Sequence, residues 1–320
     1  MPLERVAVIG AGAWGTALAQ AAAIAGRRVT LVARDPAVVD EVNTRHSNSG
    51  HLGSQPLATS IRAATSFTGA DLVILAVPAQ ASRAALAGLS LDGVPVVLTA
   101  KGLEQGSLKR QSEVLAEAMP GAIPYVLSGP SFAADVAAGR PTAVTLAGDD
   151  DAATEAIAAA LAGPTFRPYA AGDRIGVELA GALKNVYALA AGAVDGAQLG
   201  ASARAALIAR AFAELSRIIP AFNGRAETLM GLAGLGDLTL SCTSTQSRNY
   251  RHGVALGRGE PQEASLAEGV FTAPVAQLLA RTASVEAPLI DAVNLLLSGN
   301  VDITTIVAGL MTRPLKREDS

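Results

Sequence analysis

The chain is poor in the residues that build disulfides and metal sites. Its single cysteine, Cys242, excludes an intrachain disulfide and any cysteine-based metal cluster. Three histidines, His46, His51 and His252, are scattered without metal-ligand spacing, so no metal is expected. Positive charge is not in excess: the formal net charge is −3, which gives no global attraction for nucleic acid. An anionic ligand therefore needs a local cluster of cations. The start, MPLERVAVIG, lacks the basic stretch and cleavage site of a secretory signal. The longest charge-free run, residues 6–26, is interrupted by a glycine turn and predicts no membrane span. No repeat or Gly/Ser-rich linker is evident, and low complexity is limited to an alanine bias. These absences predict a metal-free cytoplasmic protein. At 320 residues, 50% of them hydrophobic, the chain can bury one large or two ordinary cores.

The first half alternates. Residues 5–9, RVAVI, read as a strand, GAGAWG follows, 16–25 reads as a helix and 28–33 as a second strand. That context turns G-x-G-x-x-G into a dinucleotide fingerprint. Gly10 permits the tight turn, Gly12 lets backbone approach a pyrophosphate, and Gly15 lets helix pack on strand. Further strands are expected over 71–77, 94–100, 123–128, 142–148 and 165–169, with helices near 79–87, 108–118 and 151–162. The alternation predicts a doubly wound, mostly parallel sheet. Pro78, Lys101 and residues 129–131 fall past strand ends, where such sheets bind ligands. Ser131 is placed to cap the helix after it. Residues 45–60, rich in Gly, Ser, Asn and His, read either as a mobile lid or as a plain connection.

The second half reads as helices alone. Residues 175–196, with Asp173 as N-cap, form a long helix that is apolar nearly all round and therefore buried. Ala180, Gly181, Ala188 and Gly192 would let other backbone come close. Lys184 and Asn185 sit mid-helix. A buried lysine titrates lower than usual and becomes a usable proton donor or acceptor; the plainer reading is a lysine that snorkels out or pairs with a carboxylate. Residues 202–218 form an amphipathic helix. Asp237 either caps a helix after Gly236 or bonds a lysine ammonium. Ser247, Arg248 and Asn249 look like a helix start, either a phosphate cradle or a solvated basic turn. The shift from alternation to helices places a domain boundary at 170/171, with residues 171–320 as the second domain.

Together these blocks resemble NAD(P)-dependent glycerol-3-phosphate dehydrogenase of the soluble bacterial type. The resemblance runs nearly end to end, through VIGAGAWGTALA, AVPAQ, AKGLE, SGPSFAADVAAGRPTAV, GALKNVYALAAG, GLAGLGDLTLSCTSTQSRNYRHG and AEGV. It implies a Rossmann-type domain followed by an all-helical substrate domain, and a homodimer. It implies interconversion of dihydroxyacetone phosphate and sn-glycerol 3-phosphate, a phosphorylated small molecule. By the same resemblance Lys184 is the proton acceptor, and Lys101 touches cofactor and substrate. Gly129 and Ser131 belong to a substrate loop, and Ala133 is a cofactor position. Asp237, Ser247, Arg248 and Asn249 bind substrate, with Arg248 also near the cofactor. Leu266 and Glu268 lie near the nicotinamide. Ala13, Trp14 and Arg34 join Gly10, Gly12 and Gly15 at the nucleotide. Ala13 and Ala79 stand where the family commonly has serine.

The expected cofactor is NADPH, with NADH also used. The second strand ends at Ala33, and Arg34 follows where NAD-specific sites carry an acid. Asp35, before Pro36, then caps the next helix; turned inward instead, it would favour NADH. Two rival readings stand beside this one. A β-hydroxyacid or ketopantoate-type dehydrogenase would have no use for the Ser247-Arg248-Asn249 cluster. A silent dinucleotide sensor would have no use for Lys184, Lys101 and Asp237 together.

Overall fold

The computed structural model describes residues 3–260, 267–314 and 317. Eight strands form one sheet: β1 (Arg5–Ile9), β2 (Arg28–Val32), β3 (Arg62–Ala64), β4 (Leu72–Leu75), β5 (Pro95–Leu98), β6 (Ile123–Ser128), β7 (Thr142–Ala147) and β8 (Phe166–Ala171). Their spatial order is β3-β2-β1-β4-β5-β6-β7-β8. Every neighbouring pair is parallel except β6 and β7. Central strands such as LVIL of β4 are buried residue after residue, because helices cover both faces. The chain leaves β1 toward β2 on one side and returns to β4 on the other. That reversal opens a crevice at the carboxyl ends of β1 and β4.

The helices of this half are α1 (Ala13–Ile24), α2 (Pro36–Arg45), α3 (Ser49–Leu52), α4 (Ser82–Leu86), α5 (Gln111–Ala118), α6 (Ala133–Ala137) and α7 (Asp151–Leu161). Beyond the sheet come α8 (Arg174–Gly196), α9 (Ala201–Ala221), α10 (Asp237–Thr243), α11 (Arg248–Gly257), α12 (Glu268–Thr282), α13 (Pro288–Leu297) and α14 (Ile303–Met311). This is a Rossmann-like α/β sheet followed by a helical domain.

Helix α8 organises the second half. Asp173 caps it by accepting from Gly176 N, as the sequence predicts. Val177 enters the core on one sheet face, while residues from Leu179 onward form the core of the helical half. Helix α11 crosses it at backbone contact. A Cβ on Gly192 would overlap the Tyr250 carbonyl, and one on Gly253 the Leu189 carbonyl, so the crossing requires both glycines. Among the described residues α8 is the one helix long and apolar enough to cross a membrane, and its apolar stretch is buried inside the fold.

Three local features add to or correct the sequence reading. The short edge strand β3 has no apolar run to announce it: Arg62, Ala63 and Ala64 pair with β2 because the chain is delivered there. Helix α5 begins at Gln111 and not at 108, since Leu108 sits at φ +62° in a turn closed by Leu108 N to Glu104 O. Residues 45–60 hold α3 and pack onto α1 and α2 through Asn48, Gln20 and Glu41.

Candidate active site

The first component is main chain. Gly10, at φ +108°, follows β1 and donates its N–H to Val32 O at 3.0 Å. A Cβ at Gly10 would press on Ala76 O, and one at Gly15 would overlap Gly10 O, so the turn and the α1–β1 packing both need glycine. Gly12 differs: a Cβ there would meet nothing within 4 Å. It is the N-cap of α1, and no side chain caps that helix. The first N–H groups of α1, at Ala13 and Trp14, thus rise beside open space, which suits a phosphate anion. The residues present fit a dinucleotide. Ala133 opens α6, which packs against α1. Arg34 is exposed just past β2. Asp35 accepts from Ala37 N at 2.9 Å, so its carboxylate caps α2 as predicted.

The second component is a buried charge cluster. Asp237, 1% exposed, opens α10 and accepts from two lysines. Lys101 Nζ, reaching in from just past β5, lies 2.6 Å from Oδ2, and Lys184 Nζ, from α8, lies 2.9 Å from Oδ1. Lys184 also donates to Ser241 Oγ at 2.5 Å, and Lys101 to Gly129 O at 2.9 Å. With both ammoniums charged, the cluster carries one net positive charge. Burial pushes Lys101 down to about 8, a fall that Lys184 reinforces and Asp237 opposes. Burial alone would raise Asp237, yet the charges of Lys101 and Lys184 outweigh it and hold the carboxyl below its usual range. The charges around each ammonium are fixed before any ligand arrives.

The third component surrounds the start of α11. Ser247 caps it, its Oγ accepting from Tyr250 N. Arg248 is exposed at the first helical position, and among the described residues its side chain makes no hydrogen bond or ion pair. Asn249 is buried, and its amide is largely committed. Its Nδ2 donates to Asn185 Oδ1 at 2.9 Å, and its Oδ1 accepts from Gly269 N at 2.8 Å. Asn185 in turn donates to Lys101 O at 2.7 Å, so one chain of bonds ties α8, α11, α12 and the Lys101 backbone together. Glu268 accepts from Ala79 N at 3.1 Å; burial raises its carboxyl despite that bond and the charge of Arg248. Leu266 lies outside the described residues.

Two sequence expectations are settled by geometry. Ser131 does not cap the following helix: its hydroxyl donates to Gly129 O at 3.0 Å, and Phe132 occupies the N-cap without a side-chain bond. Asp237 is not an N-cap either; Gly236 holds that place, and the carboxylate turns to the lysines. Ser241 carries no motif of its own in the sequence; its place one helical turn after Asp237 puts both on one face of α10.

A glycine turn opening onto an uncapped helix N-terminus, with a buried lysine–carboxylate cluster past the strand ends, fits the arrangement of a nicotinamide-dependent oxidoreductase. Known proteins narrow that class. Residues 5–154 match the family model described as NAD-dependent glycerol-3-phosphate dehydrogenase N-terminus, and residues 173–308 match the corresponding C-terminus. A protein of Caulobacter vibrioides named glycerol-3-phosphate dehydrogenase [NAD(P)+] is 51% identical, over 99% of this chain and 100% of its own length. One of the same name from Brucella canis is 52% identical, over 98% of this chain and 99% of its own. The crystal structure of glycerol-3-phosphate dehydrogenase from Coxiella burnetii matches at a TM-score of 0.91 and 36% identity, over 97% of this chain and 99% of that one. This chain therefore belongs to the NAD-dependent glycerol-3-phosphate dehydrogenase family and is an NAD(P)-dependent oxidoreductase.

Proposed function

We propose that this chain reduces dihydroxyacetone phosphate to sn-glycerol 3-phosphate, the backbone of glycerophospholipids, and runs the reverse reaction. The observation that carries the reading is Lys184 on Asp237, beside Lys101, at the strand ends. When bound, the reduced nicotinamide supplies a hydride to C2 of the substrate. Lys184 gives a proton to the oxygen at C2 as it gains negative charge; in reverse, neutral Lys184 accepts that proton. Asp237 and Ser241 fix the direction of the ammonium. The Lys101 charge stabilises the developing alkoxide, and Gly129 and Ser131 line that side. Arg248, whose side chain makes no hydrogen bond or ion pair among the described residues, takes the substrate phosphate, and Ser247 and Asn249 hold the helix start that presents it.

Gly10, Gly12, Ala13, Trp14 and Gly15 hold the pyrophosphate. Ala133, Lys101, Arg248, Leu266 and Glu268 complete the cofactor side. Arg34, exposed while Asp35 caps α2, favours the 2′-phosphate of NADPH, with NADH also accepted. We assign residues 1–170 to the dinucleotide domain and 171–320 to the substrate domain, a division one residue short of the end of β8 at Ala171 and ahead of α8, which begins at Arg174. A cytoplasmic homodimer completes the reading. The test is a spectrophotometric assay of NADPH oxidation with dihydroxyacetone phosphate, ketopantoate and unphosphorylated dihydroxyacetone. Turnover confined to the phosphorylated ketone is expected; its absence overturns the proposal.

A further inference from the structure

We propose that Asn48 is a positioning residue of the dinucleotide site, acting through the peptide that joins Ala11 to Gly12. The inference rests on the reading that the glycine turn holds a pyrophosphate. Asn48 comes from the segment between α2 and β3, distant in sequence from that turn. The segment is closed at its neck by Leu57 N donating to His46 O at 2.8 Å. Glu41 pins its entrance, Oε1 accepting from Ser47 Oγ at 2.8 Å and Ser49 N at 2.7 Å. Gln20 of α1 pins its exit, accepting from Ala58 N at 2.7 Å. From this frame Asn48, 1% exposed, turns inward. Its Nδ2 donates to Ala11 O at 2.9 Å and to Thr16 Oγ1 at 2.8 Å. The fully buried Thr16 hydroxyl also reaches Ala11 O, at 3.4 Å.

The carbonyl of Ala11 and the N–H of Gly12 belong to one planar trans peptide and point in opposite directions. Holding the oxygen inward therefore aims the Gly12 N–H the opposite way, and the space about the Gly12 Cα is open as well, since a Cβ there would meet nothing within 4 Å. Glycines flank this peptide closely on both sides, so its plane is otherwise cheap to rotate. A rotated plane would present a carbonyl oxygen to a phosphate. Donors on Ala11 O also polarise the peptide and strengthen its N–H as a donor. Asn48 thus pre-pays no contact with the ligand; it removes a conformational freedom that binding would otherwise have to remove.

The test uses Asn48→Ala and Asn48→Asp in the full chain; the second keeps the shape but has no N–H to donate. Dissociation constants for NADPH and NADH are measured by titration calorimetry, with kcat and KM for dihydroxyacetone phosphate at saturating cofactor, and Tm. Both constants should rise about 5- to 20-fold, the loss of one or two net hydrogen bonds, and by equal factors because the two cofactors share the pyrophosphate. Adenosine 2′-monophosphate, which lacks the pyrophosphate, should bind both variants like the parent. Saturated kcat and substrate KM should stay near the parent values. A fall in Tm with unchanged dinucleotide affinity overturns the inference and makes Asn48 a fold residue only. Equal weakening of adenosine 2′-monophosphate also overturns it. A parent that binds neither dinucleotide overturns the underlying reading instead.

Discussion

At the end of β1 the binding surface is main chain, whereas past β5 and along α8 it is side chain. The glycine turn works by what it lacks: no Cβ at Gly12, no capping side chain on α1. Its parts are neighbours in sequence, and its partial charges come from peptide dipoles that hold no proton to exchange. The lysine centre draws Lys101, Lys184, Asp237 and Ser241 from three separate stretches of chain and holds full charges away from water. Burying charge is costly unless it is paired. Asp237 meets that cost by serving both lysines. On the proposed reading, the pyrophosphate is thus met by a local, uncharged surface, while the chemistry falls to a tertiary assembly.

If that division holds, the lysine centre can be broken without touching the cradle. Lys184→Met is close to isosteric and leaves Asp237 paired with Lys101, so the fold and dinucleotide affinity should persist. Loss of one positioned acid–base group should lower kcat by about 10²- to 10⁴-fold. A variant with near-normal turnover would remove Lys184 from the mechanism. The next effect in size belongs to Arg248→Ala. A charge-assisted bond to phosphate contributes about 1.5–3 kcal/mol, so KM for dihydroxyacetone phosphate should rise roughly 10- to 150-fold. Unphosphorylated dihydroxyacetone should lose little further; equal losses on both substrates would make Arg248 a structural or cofactor residue.

The same division explains what could be read from the sequence. The cradle was legible because spacing within one short stretch carries it: Gly10, Gly12 and Gly15 between an apolar strand and a helix. Helix α8 was legible from its all-round apolarity and Asp173 cap. The pairing of Asp237 with both lysines was visible only as an alternative to capping, since nothing local says which way a carboxylate after Gly236 turns. Ser131 misled for the same reason: its hydroxyl had a nearer acceptor in Gly129 O. β3 and the inward turn of Asn48 depend on where the tertiary fold delivers residues 46–64, and composition there suggested only a loop.

The cradle has one charged outpost, and its removal should leave the rest intact. Arg34→Ala should weaken kcat/KM for NADPH by about tenfold, the loss of a charge-assisted bond, while NADH changes little. The parent must prefer NADPH, and the ratio of the two kcat/KM values must shrink in the variant. A parent that prefers NADH, or a ratio indifferent to Arg34, assigns the choice of cofactor elsewhere.

The smallest effect lies in the pH profile of the lysine centre. Burial, with help from Lys184, brings Lys101 down to about 8 from its ordinary 10.5. The ammonium form is the one that stabilises an alkoxide, so activity tied to Lys101 should fade as pH rises through that value. Since kcat/KM reports ionisations of the free enzyme, the ligand-free value applies: reduction should fall about twofold from pH 7 to 8. Unfolding does not mimic this. Lys101 in the folded chain loses its proton before the unfolded chain does, so its contribution to stability rises with pH between about 8 and 10.5. Lys101→Arg keeps a charge throughout; its guanidinium fits the site less well and should lower the rate, but the decline near pH 8 should vanish. A decline that persists unchanged in Lys101→Arg belongs to another group, and Lys101 then has no role as the titrating cation.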